Sequence, residues 1–79
     1  MKLDKVNILS VDLTEEASSM VTHFIWYRVS NILQVGFKSG DTYQYENVTP
    51  EIVDSIINGD SFGKAFNEHI KNKCTYRKL

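Results

Sequence analysis

The sequence contains few residues that could form a disulfide or bind a metal ion. Cysteine occurs once, at Cys74, so an internal disulfide has no second thiol. The two histidines, His23 and His69, lie far apart along the chain, whereas a zinc site needs three or four ligands at compact spacing. We therefore expect no metal and no other cofactor, and a fold that is stabilised by side-chain packing.

Long apolar runs are also absent. No segment approaches the roughly eighteen apolar residues that a membrane helix needs. Residues 1–5 lack the apolar stretch and the small-residue cleavage site of a secretory signal. We therefore expect a cytoplasmic protein that does not enter a membrane. A chain of 79 residues that is 42% hydrophobic and 24% charged predicts one globular domain.

Catalytic motifs are missing too. The sequence has no phosphate-binding glycine loop, no GxSxG elbow and no HExxH pair. A nucleophile built from Cys74 and His69 would need a third group to orient the histidine, and none is apparent. Ser18 and Ser19 are typical of a loop that satisfies backbone groups before a strand, with a nucleophilic or phosphorylated serine as the alternative. The sequence predicts a protein that is not an enzyme.

Three segments have the composition of β-strands. Residues 20–29 are rich in β-branched and aromatic side chains, and residues 32–37 and 42–48 alternate between apolar and polar. The short connections between them predict hairpins, and therefore an antiparallel meander. Residues 1–17 form a leader with weaker alternation, which is either an extended arm or a fourth strand.

The second turn sets the register of the sheet. A type I turn over Lys38 and Ser39, with Gly40 in the left-handed position as a bulge, fits the sequence best. That turn, and a four-residue turn at 28–31, predict these opposing pairs: Phe37 and Asp41, Val35 and Tyr43, Leu33 and Tyr45, Trp26 and Leu33, Phe24 and Val35. Because side chains alternate with period two, both tyrosines then lie on the core face.

The opposite face of the first strand carries an apolar strip of three residues, His23, Ile25 and Tyr27. Such a strip usually has a cover or a partner. We expect the leader to cover it through Ile8, Leu9 or Val11.

Two short helices are predicted after the strands. Thr49 is a typical N-cap, Pro50 suits the first helical position, and Asn58-Gly59 would end the first helix. The second helix should begin at Asp60 or Ser61. The residues that recur at helical spacing and should face the sheet are Ile52, Val53, Ile56, Ile57, Phe62, Ala65, Phe66 and Ile70. The predicted fold is thus α+β: a three-stranded antiparallel meander, with the leader as a candidate fourth strand, followed by two short helices packed on one face.

Charge is unevenly distributed along the chain. Residues 1–60 carry nine acidic and four basic side chains, whereas residues 61–79 carry five basic and one acidic, for a net charge of −1. The spacing of Lys64, Asn67 and Lys71 places them on one helix face. An aromatic among cations suits single-stranded nucleic acid. The candidate nucleic-acid-binding residues are Lys64, Asn67, Lys71, Lys73, Tyr76, Arg77 and Lys78; the alternative is an ordinary solvated helix face and terminus.

Tyr43 and Tyr45 also have two interpretations. Paired aromatics on a strand can stack on unpaired bases. The predicted register instead places both rings under the helices, where they would pack in the core with their hydroxyls at its rim.

The order of these residues resembles that of the KTSC domain, a short module found at the C-terminus of some lysyl-tRNA synthetases and as small free-standing proteins of bacteria and phages. The resemblance spans residues 18–79, with residues 1–17 as an additional leader. The matching positions are Ser18, Ser19, Phe24, Trp26, Leu33, Val35, Phe37, Gly40, Tyr43, Tyr45, Val48, Pro50, Ser61, Gly63, Phe66, Asn67, Ile70 and Lys71.

The resemblance implies RNA binding, with tRNA or single strands as partners, and candidate roles for Tyr43, Tyr45, Lys64, Asn67 and Lys71. Four features depart from the family pattern, namely the bulky Ile25 and Tyr27 in strand one, Thr49 before the proline, Cys74 where an aromatic is common, and the leader. They favour the alternative of a protein-interaction module. Such a module would be encoded by a phage to act on a host protein, or would self-associate through His23, Ile25 and Tyr27.

Overall fold

The computed structural model describes residues 7–16, 18–58, 62–71 and 73–79. The strands are β1 (Ile8–Asp12), β2 (Val21–Tyr27), β3 (Ile32–Phe37), β4 (Thr42–Tyr45) and β5 (Tyr76–Lys78). The helices are α1 (Pro50–Ile57) and α2 (Phe62–Phe66), and α2 continues directly into a π-helical turn at Asn67–Lys71. None of the helices in these ranges combines the length and the apolar character required to span a bilayer.

All five strands form one antiparallel sheet in which each strand lies beside its sequence neighbours, in the order β1-β2-β3-β4-β5. Both helices come between β4 and β5 in the chain. They pack on the sheet face that carries Phe24, Leu33 and Val35, which we call the helix side. The opposite face carries His23, Ile25 and Gln34, and we call it the open side.

The register predicted from the turns is confirmed. Leu33 lies opposite Tyr45 and Val35 opposite Tyr43. Gly40 has a φ of 97°, a left-handed conformation that glycine adopts without a steric penalty. The Phe37 N–H donates to the Asp41 carbonyl over 2.8 Å and so closes the hairpin. The other predicted pairs, Trp26 with Leu33 and Phe24 with Val35, are also present.

The sheet has two strands more than the predicted three-stranded meander, one at each edge. The leader provides the candidate fourth strand, β1, but the prediction that it covers the strip on β2 is wrong. Leu9 lies opposite Trp26 on the helix side and is buried, whereas Ile8 lies opposite Tyr27 on the open side and is 60% exposed. A paired strand adds side chains to both faces, so β1 extends the strip instead of covering it.

The C-terminal tail forms a strand that the sequence did not predict. The chain turns back after the π-helical turn, where the Ile70 carbonyl accepts from the Cys74 N–H at 2.9 Å. Residues 76–78 then pair with β4 as an edge strand, so that Tyr76 lies opposite Tyr45 and Arg77 opposite Gln44. A strand fits here because β4 would otherwise expose a row of unpaired backbone groups.

Helix α1 begins as predicted. The Thr49 hydroxyl accepts from the Ile52 N–H at 3.4 Å, and Pro50 occupies the first turn. Asn58 ends the helix, and its N–H donates to the Asp54 carbonyl. The predicted cap at Gly59 and the predicted start of the second helix at Asp60 or Ser61 lie outside the described residues.

The core lies between the helices and the helix side of the sheet. The predicted stripe of the second helix is buried, and the Phe62 ring stacks on Phe24 at 5.2 Å. The strand predicted to reach residue 48 ends at Tyr45, because Asn47 adopts a φ of 59°. Val48 is still fully buried, and its carbonyl accepts from the Trp26 indole N–H at 2.8 Å.

Candidate functional site

A groove on the helix side consists of two adjacent hollows. The first has a volume of about 360 Å³ and the second about 430 Å³. Phe37, Tyr45 and Lys71 line both hollows and therefore mark the boundary between them. We call the first the serine hollow and the second the tyrosine hollow.

Aromatic rings form much of the wall of the tyrosine hollow. The Tyr76 ring centroid lies 5.8 Å from that of Tyr43 and 5.5 Å from that of Tyr45. Phe37 meets Tyr43 edge to face at 5.4 Å. Tyr76 is 56% exposed, so an aromatic face remains accessible for a ligand. Residues lining this hollow are Phe37, Ser39, Asp41, Tyr43, Tyr45, Lys71 and Tyr76.

The tyrosine hollow also contains one carboxylate, that of Asp41. The Ser39 hydroxyl donates to Asp41 Oδ2 at 3.4 Å, and Lys78 Nζ lies 3.4 Å from Oδ1. The Asp41 side chain is 43% exposed. It is therefore oriented by two neighbours while it remains open to a ligand.

The only cation that lines the groove is Lys71, at the end of the π-helical turn, among the residues that the structure describes. Its side chain lines both hollows, and the residue is exposed. Asn67, one turn earlier, lines the serine hollow. The groove therefore places an ammonium and an amide beside an aromatic surface.

The serine hollow is partly acidic, because Glu15 and Glu16 line it. The Ser18 hydroxyl accepts from the Val21 N–H at 3.0 Å and from the Met20 N–H at 3.3 Å, as the loop interpretation of this serine requires. Glu15 pairs with Lys38 at 3.2 Å on the rim. Other lining residues are Ser19, Gly63, Phe66 and Asn67.

The pKa values of two ionisable groups in and near the groove are raised. Burial raises the pKa of Tyr45, and the nearby Tyr76, Tyr43 and Cys74 side chains raise it further. Burial also raises the pKa of the Cys74 thiol. Both groups are therefore protonated at neutral pH, and the thiol lacks the lowered pKa that activates a nucleophile. Within the described part of the chain, no three His, Cys, Asp or Glu side chains group as a metal site would require.

Residues 17–76 match the sequence profile of the KTSC domain. The chain belongs to the KTSC domain family. A lysine–tRNA ligase of Nostoc punctiforme (strain ATCC 29133 / PCC 73102) is 27% identical over 73 residues, and an uncharacterised protein of Stutzerimonas stutzeri (strain A1501) is 48% identical over 40 residues. The matched regions cover 92% and 51% of this chain but only 13% and 56% of those two proteins.

The fold is that of a solved KTSC domain. The crystal structure of a KTSC domain protein from Yersinia pestis superposes with a TM-score of 0.79 at 24% sequence identity. The match covers 91% of this chain and 97% of the Yersinia chain. The KTSC domain therefore occurs both within a tRNA ligase and as a protein of about this size.

The groove brings together many of the positions on which the KTSC resemblance rests. Those that line it are Ser18, Ser19, Phe37, Tyr43, Tyr45, Gly63, Phe66, Asn67 and Lys71. They come from four separate parts of the chain and converge on one side of the sheet. The two family-motif tyrosines thus pack against the core and also contribute to the groove.

The seven candidate nucleic-acid-binding residues do not form one surface. Asn67, Lys71 and Tyr76 line the groove. Arg77 lies opposite Gln44, and its side chain is therefore on the open side of the sheet. The other three are exposed: Lys78 pairs with Asp41 at the groove, and Lys64 and Lys73 line neither hollow.

The candidate protein-interaction residues lie together on the open side, away from the groove. His23 is exposed, whereas Ile25 and Tyr27 are half-buried. Ile8 extends the strip on β1, opposite Tyr27, and half-buried Ile32 extends it on β3. Gln34 Nε2 donates to Gln44 Oε1 at 3.1 Å, so the strip adjoins a hydrogen-bonded polar region.

Sequence reasoning missed three residues of the tyrosine hollow, Phe37, Ser39 and Asp41, as ligand-binding candidates. A signal for Asp41 was present, because the predicted register placed it opposite Phe37 and so on the helix side. The position of Tyr76 beside the other tyrosines had no comparable signal, because it depends on the pairing of β5 with β4.

Proposed function

We propose that this KTSC domain is a non-catalytic RNA-binding module that holds unpaired nucleotides in the groove on the helix side. The observation that carries the proposal is the presence of a cation and accessible aromatic rings in one hollow. Tyr43, Tyr76 and Lys71 all line the tyrosine hollow. Single-stranded nucleic acid is bound by this combination, since bases stack on rings and phosphates pair with cations.

Stacking on an aromatic side chain contributes roughly 1–3 kcal/mol per base. Tyr76 is the most accessible ring of the hollow, because it belongs to an edge strand and is 56% exposed. Tyr43 is half-buried and supports Tyr76 from the neighbouring strand. We therefore expect a base to stack mainly on Tyr76.

Lys71 is the proposed phosphate contact, and Asn67 is the proposed polar contact next to it. Exposed Lys64 and Lys73 would act on phosphates outside the hollows. The whole chain carries a net charge of −1, so attraction to RNA depends on these local cations and not on overall charge. Binding should accordingly be modest and strongly dependent on salt.

The comparison with a tRNA ligase supports RNA as the ligand class. The matched region forms 13% of the Nostoc lysine–tRNA ligase. An accessory RNA-binding module would suit such an enzyme, and the same module on its own would keep the groove. We extend this role to the present chain as a proposal, with single-stranded regions of tRNA as the first ligands to test.

The test is a salt titration of binding to a labelled single-stranded RNA, with Lys71→Ala and Arg77→Ala as a matched pair. Each variant removes one positive charge, but Lys71 lines the groove and Arg77 lies on the open side. We expect Lys71→Ala to weaken binding and to reduce the slope of log K against log salt by about 0.7, the value for one phosphate contact. Arg77→Ala should leave the slope close to that of the wild type. Equal effects of the two variants, or no binding at low salt, would overturn the proposal.

A second candidate function, self-association through the open side, is favoured by the apolar strip of Ile8, Ile25, Tyr27 and Ile32. The Asn7 carbonyl accepts from the Arg28 N–H, and the Leu13 N–H donates to the Thr22 carbonyl. By alternation the backbone groups of Ile8, Ser10 and Asp12 therefore point away from β2. No described residue pairs with them. Antiparallel pairing of two β1 strands has twofold symmetry and would join two strips into one surface.

Oligomeric state tests this second function. If it is correct, the protein sediments as a dimer and Ile25→Glu converts it to a monomer. Ser10→Pro should do the same, because proline removes an outward backbone donor. A monomer at high concentration would exclude self-association and leave the RNA proposal unaffected.

A further inference from the structure

We infer that the tyrosine hollow selects guanine among the bases, and that the Asp41 carboxylate reads its edge. This inference rests on the proposed RNA binding and adds a base preference to it. The observation behind it is a carboxylate that lines the same cavity as three tyrosines and a lysine. A carboxylate repels RNA phosphates. If the hollow binds RNA, the carboxylate should therefore contact another part of the nucleotide favourably.

Asp41 is placed by the hairpin that joins β3 to β4. The Phe37 N–H donates to the Asp41 carbonyl, and the two residues lie opposite each other on the helix side. Ser39 and Lys78 each approach one carboxylate oxygen, at 3.4 Å. The carboxylate is therefore held from the turn on one side and from β5 on the other, beside the ring of Tyr43.

Among the residues that the structure describes, only Ser39 and Lys78 bind the Asp41 carboxylate, so its acceptor capacity is partly used. An ionised carboxylate offers about four lone-pair positions, and Ser39 and Lys78 account for two. The remaining positions belong to two oxygens side by side, which match a pair of adjacent donors. A ligand that presents two such donors in the plane of an aromatic ring would gain a bidentate, charge-assisted interaction.

Guanine is the only standard RNA base with two adjacent donors, N1–H and the N2 amino group, on its Watson–Crick edge. Adenine and cytosine present one amino group beside a ring acceptor, which would face a carboxylate oxygen. Uracil presents N3–H between two carbonyl oxygens, and both would repel the carboxylate. Unpaired bases in single strands are recognised on this edge while they stack on aromatic rings.

The dimensions are suitable for one nucleotide. The hollow of about 430 Å³ lies within the range of roughly 300–1,000 Å³ that small-molecule sites occupy. Lys71 lines the hollow together with Asp41, so phosphate and base edge would be recognised in one cavity. Tyr76 would supply the surface on which the base stacks.

The experiment uses RNAs of six nucleotides that differ at one position. The position carries guanosine, inosine, adenosine or cytidine in a background of uridines, and hexauridine is the reference. Inosine keeps N1–H and lacks the N2 amino group, so it removes one of the two donors. We expect the guanosine RNA to bind at least about fivefold more tightly than the reference, since a bidentate contact discriminates by roughly 1–3 kcal/mol. The inosine RNA should fall between them.

Asp41→Asn is the decisive variant, and Glu46→Gln is its matched control. Both remove one negative charge, but Glu46 directly follows β4, is exposed and lines neither hollow. Asp41→Asn should abolish the guanosine preference while affinity for hexauridine stays the same or rises, because a repulsive charge is lost. Glu46→Gln should keep the preference. Circular dichroism of each variant shows whether the fold is retained.

The outcomes separate this inference from the proposed function. Equal binding of all five RNAs by the wild type would overturn the guanine preference and leave RNA binding intact. A preference that survives in Asp41→Asn would assign it to another residue and overturn the role of Asp41. Absence of binding by any RNA would overturn both proposals, and a protein ligand would then be the remaining function of the groove.

Discussion

At the scale of single residues, Gly36 and His23 form a cross-strand pair on the open side. A Cβ atom built on Gly36 would lie 2.1 Å from His23 Cε1, because the imidazole lies directly over the glycine. Thr22 Oγ1 lies 3.0 Å from His23 Nδ1 and donates to the Gly36 carbonyl at 3.2 Å, which helps to hold this arrangement. The absence of a side chain at position 36 therefore allows His23 to lie flat on the sheet.

This arrangement predicts that the effect of Gly36→Ala on stability changes sign when the His23 side chain is removed. Gly36→Ala alone should destabilise the protein slightly, because the exposed imidazole must move away. In a His23→Ala background the same substitution should stabilise it by about 0.5–1 kcal/mol, since glycine is unfavourable inside a strand. Urea unfolding of the four proteins provides the test. The same effect of Gly36→Ala in both backgrounds would contradict the steric role of His23.

Tyr45 is the residue through which alkaline pH should act on stability. Burial and its neighbours raise the pKa of Tyr45 above the ordinary value of 10.0. Because the folded-state pKa exceeds the unfolded one, the contribution of Tyr45 to stability is complete below about pH 10 and is lost as the pH rises through the folded value. The free energy of unfolding should therefore fall steeply above about pH 10, and Tyr45→Phe should make that fall shallower.

The pH measurement needs one precaution, because burial raises the pKa of Cys74 from 9.0 and acts in the same direction. All proteins should therefore carry Cys74→Ala. Urea unfolding followed by Trp26 fluorescence, at about pH 8 and about pH 11, gives the two free energies. Tyr27→Phe on the open side is the control and should behave as its parent. An unchanged pH dependence in Tyr45→Phe would show that the ionisation of other groups dominates.

At the scale of the elements, the start of α1 depends on one side chain. The Thr49 hydroxyl accepts from the Ile52 N–H, whereas the Ser55 hydroxyl in the middle of the helix donates to the Glu51 carbonyl from an exposed position. Thr49→Ala should cost about 0.5–2 kcal/mol, the usual range for an N-cap. Ser55→Ala should be neutral or slightly stabilising, because alanine is the better helix former. Thermal or urea unfolding distinguishes them, and equal costs would contradict the capping role.

The pairing of β5 with β4 can be tested by proline substitution at two adjacent positions. The Thr75 carbonyl accepts from the Glu46 N–H, and the Leu79 N–H donates to the Thr42 carbonyl. By alternation the Arg77 N–H also points to β4, whereas the Lys78 N–H points outward. Arg77→Pro should therefore release the strand, and Lys78→Pro should be tolerated. Amide hydrogen exchange at Gln44 reports the outcome, and equal protection in both variants would contradict the register.

The elements that the sequence predicted and those that it missed differ in length and burial. Residues 32–37 alternate and α1 has a proline, an N-cap and a buried stripe, so strong local signals agreed with the packing. The three residues of β5 are all exposed and mostly charged, so neither alternation nor apolar content marked them as a strand. β1 was recognised as a candidate strand, but the face that its side chains take depends on the pairing with β2.

The same distinction applies to the groove. The family-motif tyrosines, Asn67 and Lys71 were recognised as candidates from spacing and from the KTSC resemblance. Their meeting with Tyr76 and Asp41 in one cavity depends on two hairpins and on the turn back after Lys71, which no local pattern encodes. Arg77 illustrates the reverse case, since its charge suggested the same surface but strand alternation places it on the other face.

At the scale of the whole molecule, the two faces of the sheet offer two different surfaces. The helix side carries a groove whose tyrosine hollow has aromatic rings, one cation and one carboxylate. The open side carries an apolar strip beside a polar region that ends in Arg77. A five-stranded sheet with helices on one face thus separates a candidate RNA site from a candidate protein surface, so each can be altered without the other.

The central claim is that the groove, and not the basic tail as a whole, is the binding surface. The most direct test is to follow the backbone and aromatic NMR signals of the labelled protein while a guanosine-containing hexaribonucleotide is added at low salt. We predict the largest shifts in the groove, at Tyr43, Tyr45, Asn67, Lys71 and Tyr76, and smaller ones at Lys64 and Lys73. Arg77 and the strip of Ile25 and Tyr27 should be unchanged. Shifts centred on the open side, or an unchanged spectrum at a large excess of RNA, would contradict it.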